Sequence, residues 1–364
     1  MNSLPYLPYT PDIEVISEDE ARLTTEIVET MAASSRCAFE RHRHAIRDAH
    51  AKSNGLLKGE LTVHPDLPAE LRQGVFAEPR TYQVVARLSS APSDIHSDEI
   101  PAARGFALKI IGVDGERLSP EIDGSNQDFL MVNFPALAFG TIAKYKRMLA
   151  LLEANSHAPD TFQRLVAGTA HGAKQVVESL GGTPGATLDG LARDNHHPLG
   201  ETYHTQAAVR FGSYLAKLSL HPASDSVTSL TGQQVDEVQY AGLRDAVSAH
   251  FASQGAEYTL CAQLCTDLGK MPVEDAAIAW PEELSPHRPI ATLRFAPQAT
   301  ANPARQVYGD DVLSFNPWNG VAAHQPLGGI MRIRRSAYER STAFRHAMNA
   351  QPRIEPARAT DIPD

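Results

Sequence analysis

Apolar residues along this chain follow two rhythms. Leu23, Ile27 and Met31 recur every four positions, the period of one helix face, and Ser17 with Glu20 stands before them as a capping box. A helix is therefore expected from Ser17 towards Arg47. The rhythm then changes. Residues 59–64, 82–89, 106–111 and 129–134 are short runs of β-branched or large apolar residues, bounded by Gly, Pro, Asp or Ser, and each predicts a strand. Helices over 141–154 and 161–179 interrupt them, the second stopped by Gly181-Gly182. Strands return at 205–211, 215–220, 258–267 and 290–295, with helices over 240–253 and 329–349. Strands dominate the middle and helices lie before, between and after them. That order predicts an α+β fold on an antiparallel sheet or barrel, in one domain over 17–350. A Pro-rich extended arm (1–16) precedes it and a Pro- and charge-rich tail (351–364) follows.

Composition narrows the class. Of 364 residues, 42% are hydrophobic and 21% charged, enough apolar material for a sizeable core. The net charge of −10 argues against nucleic acid or an anionic membrane surface as partner, so local basic clusters need a local reason. No run approaches the roughly 18 apolar residues of a membrane span, and the start has no basic, apolar leader pattern, so a cytoplasmic protein is expected. Three cysteines (Cys37, Cys261, Cys265) do not make a disulfide framework and are expected as thiols in or near the core. Gly181-Gly182-Thr183-Pro184-Gly185 follows a helix, the wrong context for a dinucleotide fingerprint. There is no G-x-S-x-G elbow and no H-E-x-x-H helix, and Cys261 and Cys265 lack the partners of a zinc site.

Three segments carry possible chemistry. The last helix holds Arg332, Arg334, Arg335, Tyr338, Arg340 and Arg345. Arg334 and Tyr338 are four apart and share a face, where a guanidinium favours the phenolate, a hard ligand suited to ferric iron. A basic helix face with a partly buried tyrosine fits the same spacing. His50, in Arg47-Asp48-Ala49-His50-Ala51-Lys52, can serve as a general base or as a helix-end histidine on a carbonyl. His42 and His44 do not share a helix face and read as solvated. Gly124-Ser125-Asn126-Gln127-Asp128-Phe129 is a polar turn entering an apolar strand, which can aim an amide into a pocket or simply be a turn.

In order and separation these segments resemble the haem catalases and their smaller catalase-related relatives. Arg87-Leu88-Ser89-Ser90 and Ala103-Arg104-Gly105-Phe106-Ala107-Leu108-Lys109 resemble that family's R-F-S and R-G-F-A-x-K strands. Arg334-Arg335-Ser336-Ala337-Tyr338 resembles its R-x-x-x-Y helix. The resemblance spans about residues 40–345 and implies a catalase-like β-barrel holding b-type haem. It implies Tyr338 as iron ligand with Arg334 beside it, and His50 as distal acid/base oriented by Ser89. It further implies Asn126 as hydrogen-bond donor to peroxide, and Arg47, Arg87 and Arg345 at the haem propionates. Phe139 and Met131 fall where the family places aromatics beside the distal cavity; Met131 departs from that pattern, as do Ala49, Asn133 and Phe134. The chain is shorter than a full-length catalase, so no extended C-terminal region or nicotinamide site is expected. The activity implied is reduction of hydrogen peroxide or organic hydroperoxides through a ferryl intermediate, as a peroxidase with some catalase action and an organic electron donor. Rearrangement of fatty-acid hydroperoxides and a non-catalytic haem carrier or sensor are the alternatives, and a homo-oligomer is consistent with the family.

Overall fold

The computed structural model describes residues 6–91, 95, 97–98, 102–154, 196–235 and 240–364; the helix expected over 161–179 lies outside them. Nine strands form one antiparallel sheet: β1 (Lys52–Val63), β2 (Thr81–Ser90), β3 (Arg104–Ile110), β4 (Gln127–Val132), β5 (Tyr203–His204), β6 (Val209–Phe211), β7 (Tyr214–Pro222), β8 (Ala256–Leu264) and β9 (Arg288–Phe295). Eight of them close into a barrel, because β5 pairs with both β4 and β7 while β9 pairs back onto β1. β6 is an extra strand on the edge of β7 that β5 also uses. The single run expected over 205–211 is thus two short strands, broken at Gln206, which has a left-handed φ of 61°.

Alternation along the strands explains the barrel's two faces. In β2, Val84, Ala86 and Leu88 point inward and, with Phe106, Leu108 and Ile110 of β3, fill the interior. Phe106 meets Tyr203, Tyr258 and Phe295 at ring-centroid distances of 5.3, 5.9 and 6.3 Å, a contact set that specifies the core more sharply than aliphatic burial alone. The outward positions of β2 are covered too: Val85 joins Leu56, Ile111, Leu313, Phe315 and Ile362 in a second apolar cluster. Outside the barrel lie six helices among the described residues: α1 (Glu20–His42), α2 (Ile142–Ala154), α3 (Asp225–Thr228), α4 (Gly242–Phe251), α5 (Pro303–Val307) and α6 (Gly329–Asn349). Ile27 of α1, Ile142 of α2 and Ile333 of α6 pack together.

Several local expectations are corrected. The first helix ends at His42, where Arg43 turns left-handed at φ 55°, so His50 lies in an irregular segment and not on the helix. No capping box forms at its start. Asp19 is the N-cap without a side-chain bond, and the Glu20 carboxylate is drawn away to Arg332. Residues 351–364 do not hang free. Glu355 is 2% exposed and bonds Lys109 Nζ at 2.8 Å, and Ile362 sits in the second cluster. Residues 6–16 pack on their own chain as well: the Leu7 amide donates to the Cys265 carbonyl, and Glu14 pairs with Arg332. Cys261 and Cys265 are buried as expected, whereas Cys37 is exposed.

Candidate active site

A cavity of about 200 Å³ lies between the outer face of β2–β4 and helix α6. The barrel supplies the outward positions Arg87, Ser89, Gly105, Ala107, Leu130 and Val132, the alternation just described. The helix supplies Ile330, Ile333, Arg334, Ala337 and Tyr338, which recur at spacings of three and four and so share one face. His50 reaches the cavity from the segment before β1. Its φ of 52° is uncommon for a residue with a Cβ, and it aims the ring at Gly105. There the absence of a side chain is needed: a Cβ on Gly105 would lie 2.6 Å from both His50 Nδ1 and Ser89 Oγ. His50 Nδ1 is buried without a hydrogen-bond partner. Burial, reinforced by Arg87, Arg334 and Arg104, lowers the His50 pKa to about 4, so the ring is neutral near pH 7.

Three arginines, Arg47 and Arg87 of the cavity lining and Arg345 outside it, converge on the turn Tyr308–Val312. Arg47 donates to the carbonyls of Gly309 (2.6 Å) and Leu313 (2.7 Å) and to Asp310. Arg87 donates to the carbonyls of His50 and Ala51 and to Asp310 Oδ1 at 3.2 Å. Arg345, 2% exposed, donates to the Asp310 and Asp311 carbonyls and to Ser314 Oγ. Burial lowers all three guanidinium pKa values, and mutual repulsion lowers those of Arg47 and Arg345 further. Buried, crowded positive charge of this kind is relieved by an anion. Arg87 Nε is buried and unbonded. On α6, burial raises the Tyr338 phenol above its ordinary range, with Arg334 opposing the shift.

No protein-family model matches the chain, and no curated protein matches it in sequence. Among solved structures, catalase A from Saccharomyces cerevisiae superposes at a TM-score of 0.59 with 16% identity, over 96% of this chain and 70% of the yeast protein. The chain has the catalase fold. A fungal catalase (TM-score 0.58, 18% identity, 95% of this chain) and a bacterial catalase (0.54, 15%, 94%) superpose as well, and the chain spans 66% and 63% of their lengths.

Within the catalase fold, the expected site residues divide. His50, Ser89, Arg47, Arg87, Arg334 and Tyr338 line one cavity, with Ala49 and Met131. Asn126 does not. Gln127 pairs with Ile110 while Val132 pairs with Gly105, so Asn126 sits six residues, roughly 20 Å along the strand, from the His50 end. Its amide is spent on Glu355 Oε2 and the Pro356 carbonyl, both at 3.1 Å. Phe139 is buried but is not a lining residue, and Asn133 takes the Arg104 amide and reaches Glu201. His44 pairs with Asp311 at 2.7 Å and is not among the residues lining the cavity. Sequence reasoning missed Gln206, Thr205, Leu137 and Tyr145, which loops and α2 carry to the cavity. Only Gly105 left a readable trace, a glycine inside an otherwise bulky strand.

Proposed function

We propose that this protein is a haem-dependent, peroxide-consuming enzyme related to the catalases. One observation carries the reading: His50 from the segment before β1, Ser89 on the barrel wall and Tyr338 on α6 line a single cavity together with the buried Arg47 and Arg87. The residues fit a planar group with two carboxylates. Three crowded guanidiniums, one with an orphaned Nε, suit the carboxylates, the bare Gly105 face admits the His50 ring, and Tyr338 offers an oxygen ligand. Haem of the b type would supply the redox-active iron at which an O–O bond is cleaved. Arg47, Arg87 and Arg345 would hold its propionates, and Tyr338 would hold its iron.

The chain's own residues then manage the proton. Neutral His50 accepts it from one peroxide oxygen and returns it to the departing oxygen, which leaves as water or an alcohol. Ser89 lies beside the ring over the same Gly105 face, without a hydrogen bond to its Nδ1. Asn126 takes no part, being committed to Glu355 and Pro356. An organic donor that returns the electrons makes the protein a peroxidase; a second hydrogen peroxide, released as dioxygen, makes it a catalase. An oxygen electrode with and without donor separates the two, and we expect donor oxidation to dominate. The test of the shared claim is His50→Ala in the haem-loaded protein. Peroxide consumption should fall by roughly 100-fold or more, the usual size of general acid–base catalysis, with haem content unchanged. A rate within twofold of wild type contradicts the assignment.

A further inference from the structure

Gln206 is the only amide side chain among the described residues that line the cavity. Its backbone is left-handed at φ 61°, a conformation that L residues rarely adopt and that persists where surrounding structure holds it. Here two bonds hold it: Gln206 Nε2 donates to the Ala136 carbonyl at 2.9 Å, and the Ala207 amide donates to the Thr205 carbonyl at 2.7 Å. The adjacent Thr205 hydroxyl is committed to the Ala207 and Leu218 carbonyls and to the Leu218 amide. Gln206 retains its carbonyl oxygen and one N–H without a protein partner, on a side chain 6% exposed.

Its place along the cavity is set by α6. Ala207, next in sequence, packs with Leu137 and Met331, the third residue of that helix. Tyr338 follows Met331 by seven residues, and Arg345 follows Tyr338 by seven. At 1.5 Å per residue, Arg345 and the level of Met331, where Ala207 packs, each lie about 10 Å from Tyr338 along the helix axis, in opposite directions. Hydrogen peroxide at the centre, a molecule of two heavy atoms, does not reach Gln206. A larger hydroperoxide does.

We propose that Gln206 is a specificity-determining residue that hydrogen-bonds a polar group of an organic hydroperoxide, at a level about 10 Å along α6 from Tyr338. This rests on the haem reading above. The strained backbone fixes the amide where an unstrained loop would let it turn away, which is the use to which such strain is put.

The experiment uses haem-loaded wild type, Gln206→Leu and Gln206→Gly, the last adopting a φ of 61° without strain and so removing the amide while sparing the loop. Three substrates are compared: hydrogen peroxide, tert-butyl hydroperoxide and a long-chain carboxylic-acid hydroperoxide. Both variants should raise KM for the acid hydroperoxide about tenfold, near the value of one lost hydrogen bond to a charged group, with kcat changed less than twofold. The other two substrates should be unaffected. The unreactive hydroxy acid of the same chain supplies a readout free of turnover: it should raise the melting temperature of wild type and not of either variant. Equal losses on all three substrates, or none on any, overturn the proposal, as does a hydroxy acid that stabilises all three proteins alike. Failure of wild type to bind haem removes the functional reading itself and this inference with it.

Discussion

Replacing Lys109 by methionine tests the energetics of the barrel wall. Lys109 on β3 is in register with Asp128 on β4, and its ammonium bonds both Asp128 oxygens at 2.7 and 2.9 Å. Glu355 of the C-terminal segment is the third member, at 2.8 Å. Lys109 and Asp128 are fully buried, and Asp128 also accepts the Asn316 amide at 2.9 Å. Methionine keeps the stem's volume and removes the charge, leaving two carboxylates beside one another. Breaking a buried ion pair in this way costs about 3–5 kcal/mol, since the remaining charge is uncompensated. With a urea m-value of about 3 kcal/mol/M, the midpoint should fall by about 1–1.7 M.

The loss should also depend on pH. Burial already raises the Asp128 pKa to about 6, with Lys109 pulling it down and Glu355 pushing it up. Without Lys109 it rises further. A folded-state carboxyl pKa above the unfolded value costs nothing in acid, and its penalty grows as pH rises from the unfolded value to the folded one. Lys109→Met should therefore lose more stability at pH 8 than at pH 5, and Glu355→Gln added to it should restore part of the loss. Urea melts read both effects. A midpoint within about 0.3 M of wild type at both pH values would refute the argument that this triad is a coupled, buried charge set.

Two further predictions are independent of that one. Gly105→Ala puts a Cβ 2.6 Å from His50 Nδ1 and Ser89 Oγ, both ends of side chains that can move aside. The fold should persist while haem-loaded peroxide turnover drops by roughly tenfold or more, within the span of general acid–base catalysis; unchanged turnover would show that His50 has no fixed place there. His324, 1% exposed and accepting the Val75 amide at 2.9 Å, is held to a pKa of about 4 by burial, against the ordinary 6.5. The folded value lies below the unfolded one, so the neutral ring is favoured and stability is lost as pH falls from about 6.5 to about 4, by at most roughly 3 kcal/mol. Chemical melts across that range should show a shallower acid loss in His324→Gln, which retains an acceptor; an identical slope would place the acid sensitivity elsewhere.

The fold was legible where periodicity is strong. The strands around Leu88, Phe106, Leu218 and Leu293, and helix α6 over its full length, follow from alternation and from the four-residue spacing. Barrel closure was legible from the family resemblance and not from periodicity, because it depends on Tyr203–His204, two residues too short to make a pattern. The first helix was drawn too long because residues 43–47 keep a helical composition; only the backbone at Arg43 stops it. In the site, residues on regular elements were found from motif and spacing, as with Ser89, Arg334 and Tyr338. Asn126 was misplaced because a motif records order along the chain and not strand register, and register carries it roughly 20 Å away. Gln206 left no trace, since a left-handed amide in a loop has neither period nor motif. The docked C-terminal segment was hidden for a related reason: its anchor is one glutamate, Glu355, among prolines and charges.

The most direct test of the account is a haemin titration of the purified chain and its Tyr338→Phe variant, followed by visible absorbance. The account predicts saturable one-to-one binding by wild type with the spectrum of a tyrosinate-bound ferric haem, and its weakening or replacement by a different spectrum in the variant. No specific binding by wild type, or identical spectra and affinities for the two proteins, would contradict it.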